Sequence, residues 1–242
     1  MPRIDGLAVM STADRRSFSY PFPEYVDWLA AAFVALTGLA FAAGGSVLFA
    51  VADRELLAAD IGAGELRMVL VERTLTEAES LTFATALVNW TGIGLLVTGL
   101  GLVVFAVGFG VGRHRSHRER DADTGDSPRT RAVFGAVATT LLSFLPLSPV
   151  FGGGFAAYLG RETSENGATV GALSGLFAVV PALSVLGFVT VGVVTGLSKV
   201  EATEFGLFAV AAMAFLALFV ALYGAGFGAL GGVLGARLTD RD

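Results

Sequence analysis

The sequence predicts an all-α fold: a polytopic integral membrane helical bundle of four full spans plus a short broken helical hairpin. Of the 242 residues, 54% are hydrophobic and only 15% are charged, whereas a soluble globular protein carries roughly 25% charged residues. The mean hydropathy is +0.72. The charges gather between long uncharged stretches, and most of the 32 glycines lie within those stretches or at their ends. A soluble domain, a disordered chain and a disulfide-rich module are therefore excluded.

The first uncharged stretch predicts a membrane-spanning helix over residues 28–51. At 1.5 Å per residue this helix is about 36 Å long, enough to cross a hydrocarbon core of ~30 Å with some tilt. Trp28 and Tyr25 stand at its start, where interfacial aromatic residues are expected. Residues 1–27 are predicted to form an N-terminal tail, and residues 28–112 a two-span membrane unit.

The second span is predicted to begin before its apolar part. Thr76 and Glu79 have the spacing of a capping box, in which each side chain satisfies a free amide at the helix start. We expect this helix to run to Gly112. The acidic segment 52–80 connects the two spans. Its apolar stretch 66–71 is expected at the membrane interface or against the bundle, with a small strand as the alternative.

The linker 113–131 determines the predicted orientation. It holds six arginines, more than any other loop, so the positive-inside rule places it in the cytoplasm. The N-terminal tail then also lies in the cytoplasm, and the segment 52–80 lies outside. The predicted location is the cell membrane, with several passes.

Two prolines interrupt the element that follows the linker. Pro146 disfavours helical geometry at the residue before it, and Pro149 follows a serine that can cap a new helix. We therefore expect two short helices, 128–145 and 149–160, and a helix break at these prolines. The second helix is too short to cross a full bilayer.

The last two spans complete a predicted glycine-striped helical module over residues 132–242. One span is expected over 167–197, with a kink at Pro181, and the other over 205–235. If the broken element 128–160 crossed the membrane, the arginines that follow it would lie outside. A hairpin keeps them inside, so the hairpin is the favoured topology and a single crossing is the alternative.

Glycines recur at a spacing of four, which aligns them on one helix face. Such faces let neighbouring backbones approach closely, which promotes helix association in lipid. Packing within one chain is the first interpretation of these stripes, and contact with a second copy in a homo-oligomer is the alternative. The residues predicted to pack helices are Gly152, Gly160, Gly167, Gly171, Gly175, Gly224, Gly228 and Gly232.

The habitat is indicated by the charged residues. Lys199 is the only lysine against fifteen arginines, and 21 acidic residues exceed the 16 basic ones. This composition resembles that of proteins from extremely halophilic archaea. A genome rich in G and C is the alternative, because it favours arginine, alanine, glycine and valine codons without any salt.

A resemblance to a group of proteins follows from the runs Pro146-Leu147-Ser148-Pro149-Val150-Phe151-Gly152-Gly153 and Gly171-Ala172-Leu173-Ser174-Gly175-Leu176. With the Tyr-Leu-Gly that ends the helix between them, they resemble small glycine-rich, multi-span membrane proteins of haloarchaea that are known only as domains of unknown function. The resemblance covers residues 132–238, departs from the pattern at Ala157, and implies a fold and a location without an activity.

No constellation of side chains predicts catalysis, a cofactor or a bound metal. The chain has no cysteine, and both histidines lie in the linker. Ser174-Gly175 resembles the Ser-Gly pair of intramembrane serine proteases, but nucleophilic catalysis needs a base within hydrogen-bond reach. Among the polar residues of the spans, Asn89 is the expected anchor of an interhelical hydrogen bond.

The arginines after the second span carry the clearest binding prediction. A basic cluster directly beside a membrane helix is typical of contact with anionic lipid headgroups, and a purely topogenic role is the alternative. Acidic residues follow at once and no aromatic platform is present, which disfavours nucleic acid as a partner. The residues predicted to contact headgroups are Arg113, Arg115, Arg118 and Arg120.

The sequence thus favours a non-enzymatic structural or accessory membrane component whose partners are membrane lipids. A channel or facilitator for a small solute, with its pathway near the break at Pro146 and Pro149, is the alternative. A broken helix at membrane depth can offer backbone groups to a solute. The scarcity of ionisable residues in the spans argues against ion-coupled transport.

Overall fold

Six α-helices make up most of the part of the chain that the computed structural model describes, residues 24–51, 69–70, 73–119, 128–143, 145, 147–160 and 164–239. They are α1 (Glu24–Val51), α2 (Glu77–Glu119), α3 (Pro128–Leu141), α4 (Ser148–Gly160), α5 (Ser164–Lys199) and α6 (Gly206–Thr239). Among the described residues, α1, α2, α5 and α6 are long and apolar enough to cross a membrane. The predicted all-α bundle of four spans plus a short broken hairpin is confirmed.

The predicted start of α2 is confirmed, and the predicted end is wrong. The Oε2 atom of Glu79 accepts hydrogen bonds from the amide and the hydroxyl of Thr76, each 2.9 Å long. The helix then continues past Gly112 to Glu119. The charged residues after Gly112 contain no glycine or proline, and arginine and glutamate are good helix formers, so nothing stops the helix where its apolar part ends.

The other helix boundaries differ from prediction by a few residues. Helix α1 begins at Glu24 rather than Trp28, so it includes Asp27. Helix α3 ends at Leu141 rather than Leu145, because Leu142 and Ser143 already turn the chain.

The structure also describes part of the segment after α1 and the surroundings of Pro181. The apolar stretch after α1 forms a strand, Val69–Leu70, that pairs antiparallel with Arg73–Thr74. The small strand considered as an alternative is therefore present. Pro181 lies inside α5, and the helix continues through it to Lys199.

Helices α1 and α2 are antiparallel, and glycines of both helices form the contact between them. A Cβ atom added at Gly38 would lie 2.6 Å from the carbonyl oxygen of Gly99, closer than the 3.0 Å below which real Cβ contacts essentially do not occur. Two turns along, a Cβ added at Gly45 would lie 2.7 Å from the carbonyl oxygen of Gly92. The two backbones are therefore in direct contact.

Helices α2 and α5 are also antiparallel. Toward the start of α2, a Cβ added at Gly196 of α5 would lie 2.7 Å from the ring of Phe83. Further along α2, the Thr98 hydroxyl donates a hydrogen bond of 2.8 Å to Ser184. Within the described residues, Thr98 and not Asn89 makes the interhelical hydrogen bond of this interface.

This register decides how the broken element lies in the bundle. Because α5 runs antiparallel to α2, it begins on the side of the bundle where α2 ends. The element between them, 128–160, therefore returns to the side from which it starts. We call this the hairpin side: there α2, α4 and α6 end and α1, α3 and α5 begin. The favoured hairpin topology is confirmed.

A small apolar core closes the bundle on the opposite side. The turn after α5 buries Val200 and Ala202 against Leu197 and against Leu75, which precedes α2. The Ala202 amide donates a hydrogen bond of 3.0 Å to the carbonyl of Leu197, the pattern of a Schellman C-cap. The residue before Ala202 is then left-handed, and it is Glu201, with φ 55°.

We predict that Glu201→Gly stabilises the protein. A left-handed conformation costs a residue with a Cβ atom about 1 kcal/mol or more, and glycine avoids that cost. The free energy of unfolding in detergent should rise by up to about 1 kcal/mol. Glu204→Gly is the control, since it removes the same charge from the helical turn Thr203–Phe205 and should not stabilise. A rise for both variants would attribute the effect to charge.

Candidate functional site: the glycine-packed hairpin

Helices α3 and α4 form an antiparallel hairpin whose core consists of glycine contacts. A Cβ added at Gly135 would lie 2.6 Å from the carbonyl oxygen of Gly152 and 2.8 Å from the Cβ of Ala156. A Cβ added at Gly152 would in turn overlap the carbonyl oxygen of Gly135 and the hydroxyl of Thr139. Ala156 is fully buried. The predicted stripe of α4 thus lies against α3.

The base of the hairpin is joined by an arginine. The Nη1 atom of Arg131, in the first turn of α3, donates a hydrogen bond of 3.3 Å to the carbonyl of Gly160, the last residue of α4. A cation at a helix C-terminus interacts favourably with the unpaired carbonyls and the helix dipole. In the sequence Arg131 stands among the arginines of the linker, and its separation of 29 residues from Gly160 gives no sign of this contact.

The tip of the hairpin satisfies its own backbone amides. The amides of Ser143, Leu145 and Ser148 each donate to the carbonyl three residues earlier, over 2.8 to 3.2 Å. Pro149 is buried in the first turn of α4 and has no amide hydrogen to satisfy. Pro146 also lacks one, and its structure lies outside the described residues. The three described amides therefore need no partner from outside the hairpin.

Helix α6 packs against α4 by a second set of glycines. A Cβ added at Gly154 would lie 3.2 Å from the carbonyl oxygen of Gly231. One added at Gly235 would overlap the carbonyl oxygen of Gly154. Sequence reasoning missed this interface, because Gly154 and Gly231 fall outside the stripes at spacing four that pointed to the others.

The two predicted stripes of the last spans face each other in antiparallel register. A Cβ added at Gly167 would lie 2.6 Å from the carbonyl oxygen of Gly232, and one added at Gly224 would lie 2.8 Å from that of Gly175. The Cα hydrogen in the Cβ direction therefore points at a carbonyl oxygen, the arrangement of a weak Cα–H···O bond. A second copy of the chain cannot use these faces unless the helices separate.

Gly228 lies where three helices meet. Its carbonyl oxygen would be overlapped by a Cβ added at Gly171 of α5 or at Gly153 of α4. Gly228 thus fixes the distance of α6 from the hairpin and from α5 at once. Gly226, on the same helix, has no neighbouring atom within 4 Å of its added Cβ.

Ser174 faces the hairpin from α5. It is fully buried, and its hydroxyl is the group that a Cβ at Gly135 would overlap. Within the described residues its Oγ has no hydrogen-bond partner. A serine here fills the space beside Gly135. The hydroxyl of Thr139 bonds its own helix, donating to the Gly135 carbonyl over 2.9 Å.

The hairpin side also carries a buried carboxylate that sequence reasoning placed outside the first span. Asp27 is 2% exposed and shares a helix face with the buried Ala30 and Ala31. Ala31 contacts the position of Gly110 near the end of α2. The signal available was the spacing of the buried positions, three and four residues, which continues the apolar face across Asp27.

The predicted headgroup-binding arginines are only partly described. Arg113, Arg115 and Arg118 lie in the last two turns of α2, on the hairpin side, and their side chains are outside the described residues, as is the whole of Arg120. No three His, Asp or Glu side chains within the described part of the chain are placed to hold a metal ion.

We predict that Gly228→Ala and Gly226→Ala have opposite effects. The methyl group at position 228 must separate backbones, and overpacking of this kind costs about 1–3 kcal/mol. At position 226 the methyl group meets open space, and alanine favours a helix by up to about 1 kcal/mol. Denaturant titration in detergent micelles measures both. Equal effects of the two substitutions would contradict the assigned helix contact.

Comparison with known proteins covers part of the chain. Residues 129–238 match the model of a family of unknown function, DUF5518. No curated protein and no solved structure matches the chain. The matched segment begins at the second residue of α3 and ends one residue before the end of α6, so it comprises the hairpin and the two spans that pack on it. Helices α1 and α2 lie outside the matched segment, which is similar to an uncharacterised domain of unknown function.

Proposed function

We propose that the chain is a non-enzymatic structural or accessory component of the cell membrane. The observation that carries this proposal is the direct contact of backbones at Gly152, Gly171 and Gly228, which leaves the hairpin closed against α5 and α6. A rigid, closed module of this kind is suited to shaping or supporting a membrane assembly. Its partners are membrane lipids, including anionic headgroups at the arginines that end α2.

The hydrogen bonds and exposed side chains at the break between α3 and α4 disfavour the alternative of a solute pathway. Such a pathway would need polar groups exposed at the break between α3 and α4, and the described amides of Ser143, Leu145 and Ser148 already have carbonyl partners. Among the described residues of the break, Ser143 is an exposed polar residue, and the large exposed side chains, Leu141, Leu147 and Phe151, are apolar. They are suited to contact with lipid rather than to a hydrated channel.

The chemistry of the site supports a role without catalysis. Ser174, whose Ser-Gly pair resembles that of intramembrane serine proteases, is fully buried beside Gly135. A buried hydroxyl needs an adjacent base to act as a nucleophile and a path for its substrate.

The orientation we propose places the hairpin side in the cytoplasm, because the arginine-rich linker begins there.

Flux through the purified protein in liposomes tests this proposal. We expect no flux of water, glycerol, sodium or chloride above that of protein-free liposomes. Gly171→Leu, which would force α5 from α6, is compared with Gly187→Leu, where an added Cβ has no neighbour within 4 Å. Saturable flux in the wild type that Gly171→Leu abolishes and Gly187→Leu leaves unchanged would overturn the structural role in favour of a facilitator.

A further inference from the structure

The number of helices differs between the two halves of the bundle. On the hairpin side, α3 and α4 accompany the four spans. The glycine contacts of α4 with α6 involve Gly228, Gly231 and Gly235, all in the last third of α6. Of the helices in the described part of the chain, six therefore occupy the half of the membrane on the hairpin side, and four continue through the other half.

The two halves of α6 also differ in how many of their residues are buried. Its buried residues all lie between Gly224 and Ala236. In the half that precedes Gly224, large side chains stand exposed, including Leu207 at 81%, Phe215 at 72% and Leu222 at 62%. Helix α6 therefore buries one face against α4 and α5 on the hairpin side, where Leu230, Leu234 and Leu238 still stand exposed, and it buries no residue in the half before Gly224.

The length of the hairpin fixes how deep it reaches. Helix α3 has 14 residues and α4 has 13, so each is about 20 Å long, against a hydrocarbon core of ~30 Å. Part of each helix is needed to reach the surface, where Arg131 joins the two at the base. The tip thus lies near the middle of the bilayer, and the hairpin fills one leaflet.

We propose that the chain acts as a wedge that prefers membranes curved outward on the hairpin side. Two helices of about 10–12 Å diameter add roughly 160–220 Å² to the area the protein occupies in one leaflet. A bilayer whose hairpin-side leaflet is expanded relieves this mismatch, so the protein has a lower free energy there. The inference rests on the proposed structural role and names the membrane property that the protein would create or recognise.

Rigid packing makes the wedge effective. A hairpin that could shift within the bundle would adapt to a flat bilayer, whereas backbone contacts at Gly135, Gly153 and Gly228 hold it in place. Close-packed interfaces of this kind transmit strain rather than absorb it. The bilayer, and not the protein, is therefore the component that deforms.

Sorting into membrane nanotubes tests the inference with the full chain. The protein has no cysteine, so Arg129→Cys marks the hairpin side and Glu204→Cys the other, both at exposed positions. Each variant is reconstituted at low density into giant vesicles in both orientations. An impermeant dye applied from outside then labels only the molecules whose cysteine faces outward. A membrane tube is then pulled from the vesicle, and the ratio of protein to lipid fluorescence in the tube is compared with the same ratio in the vesicle membrane.

We expect molecules labelled through Arg129→Cys to be enriched in the tube and molecules labelled through Glu204→Cys to be depleted. The ratio between the two should reach roughly twofold or more, which corresponds to about 0.4 kcal/mol. Equal sorting of the two populations, or the reverse order, would overturn the wedge. Sorting into the tube tests the wedge, and flux in liposomes tests the structural role. Equal sorting without flux would overturn only the wedge, and saturable flux with unequal sorting would overturn only the structural role.

Discussion

Two helix backbones can touch only where neither carries a side chain at the contact, and this constraint positions the helices of the bundle. In lipid, apolar side chains gain little by leaving one apolar surroundings for another, so association depends on close packing and on weak polar contacts. Glycine supplies both, because its Cα hydrogen points at the facing carbonyl. Such contacts contribute about 0.5–1 kcal/mol each. They join α1 to α2, α3 to α4, α4 to α6 and α5 to α6, so the register of each of these pairs follows from its glycines.

Much of the fold follows from local sequence signals. Charge-free stretches predicted the four spans, the spacing of Thr76 and Glu79 predicted the capped start of α2, and Pro146 with Pro149 predicted a break. These signals act within one element, so neighbouring residues suffice to read them. The return of the hairpin was favoured by the arginine count and is confirmed by the antiparallel register of α2 and α5.

The candidate site was less predictable, because which helices meet is a property of the bundle. Spacing four identified glycines such as Gly171 and Gly228 and could not assign one to the other. It also passed over Gly38 and Gly45, which lie two turns apart and pack on α2. Arg131 bonds a residue that is distant in sequence, and the burial of Asp27 was signalled only by the spacing of the apolar positions that follow it. Contacts between elements require the register, which the structure supplies.

The close packing of the helices bears on the proposed role in the membrane. Glycines bring the hairpin close to α5 and α6, and in the placement we propose the hairpin occupies one leaflet without crossing the other. The segment similar to a family of unknown function comprises these same elements. A rigid hairpin of this kind is consistent with the proposed structural component, and the amides of Ser143, Leu145 and Ser148 at its tip have backbone partners.

The side of the membrane on which α5 begins tests the central claim most directly. A single cysteine at the exposed Asn166, in the first turn of α5, is labelled with an impermeant reagent in intact cells and in inverted vesicles. The returning hairpin predicts that it reacts from the same side as a cysteine at Arg129 and from the side opposite to one at Glu204. Reaction from the Glu204 side would mean that residues 128–160 cross the membrane, and would contradict the account.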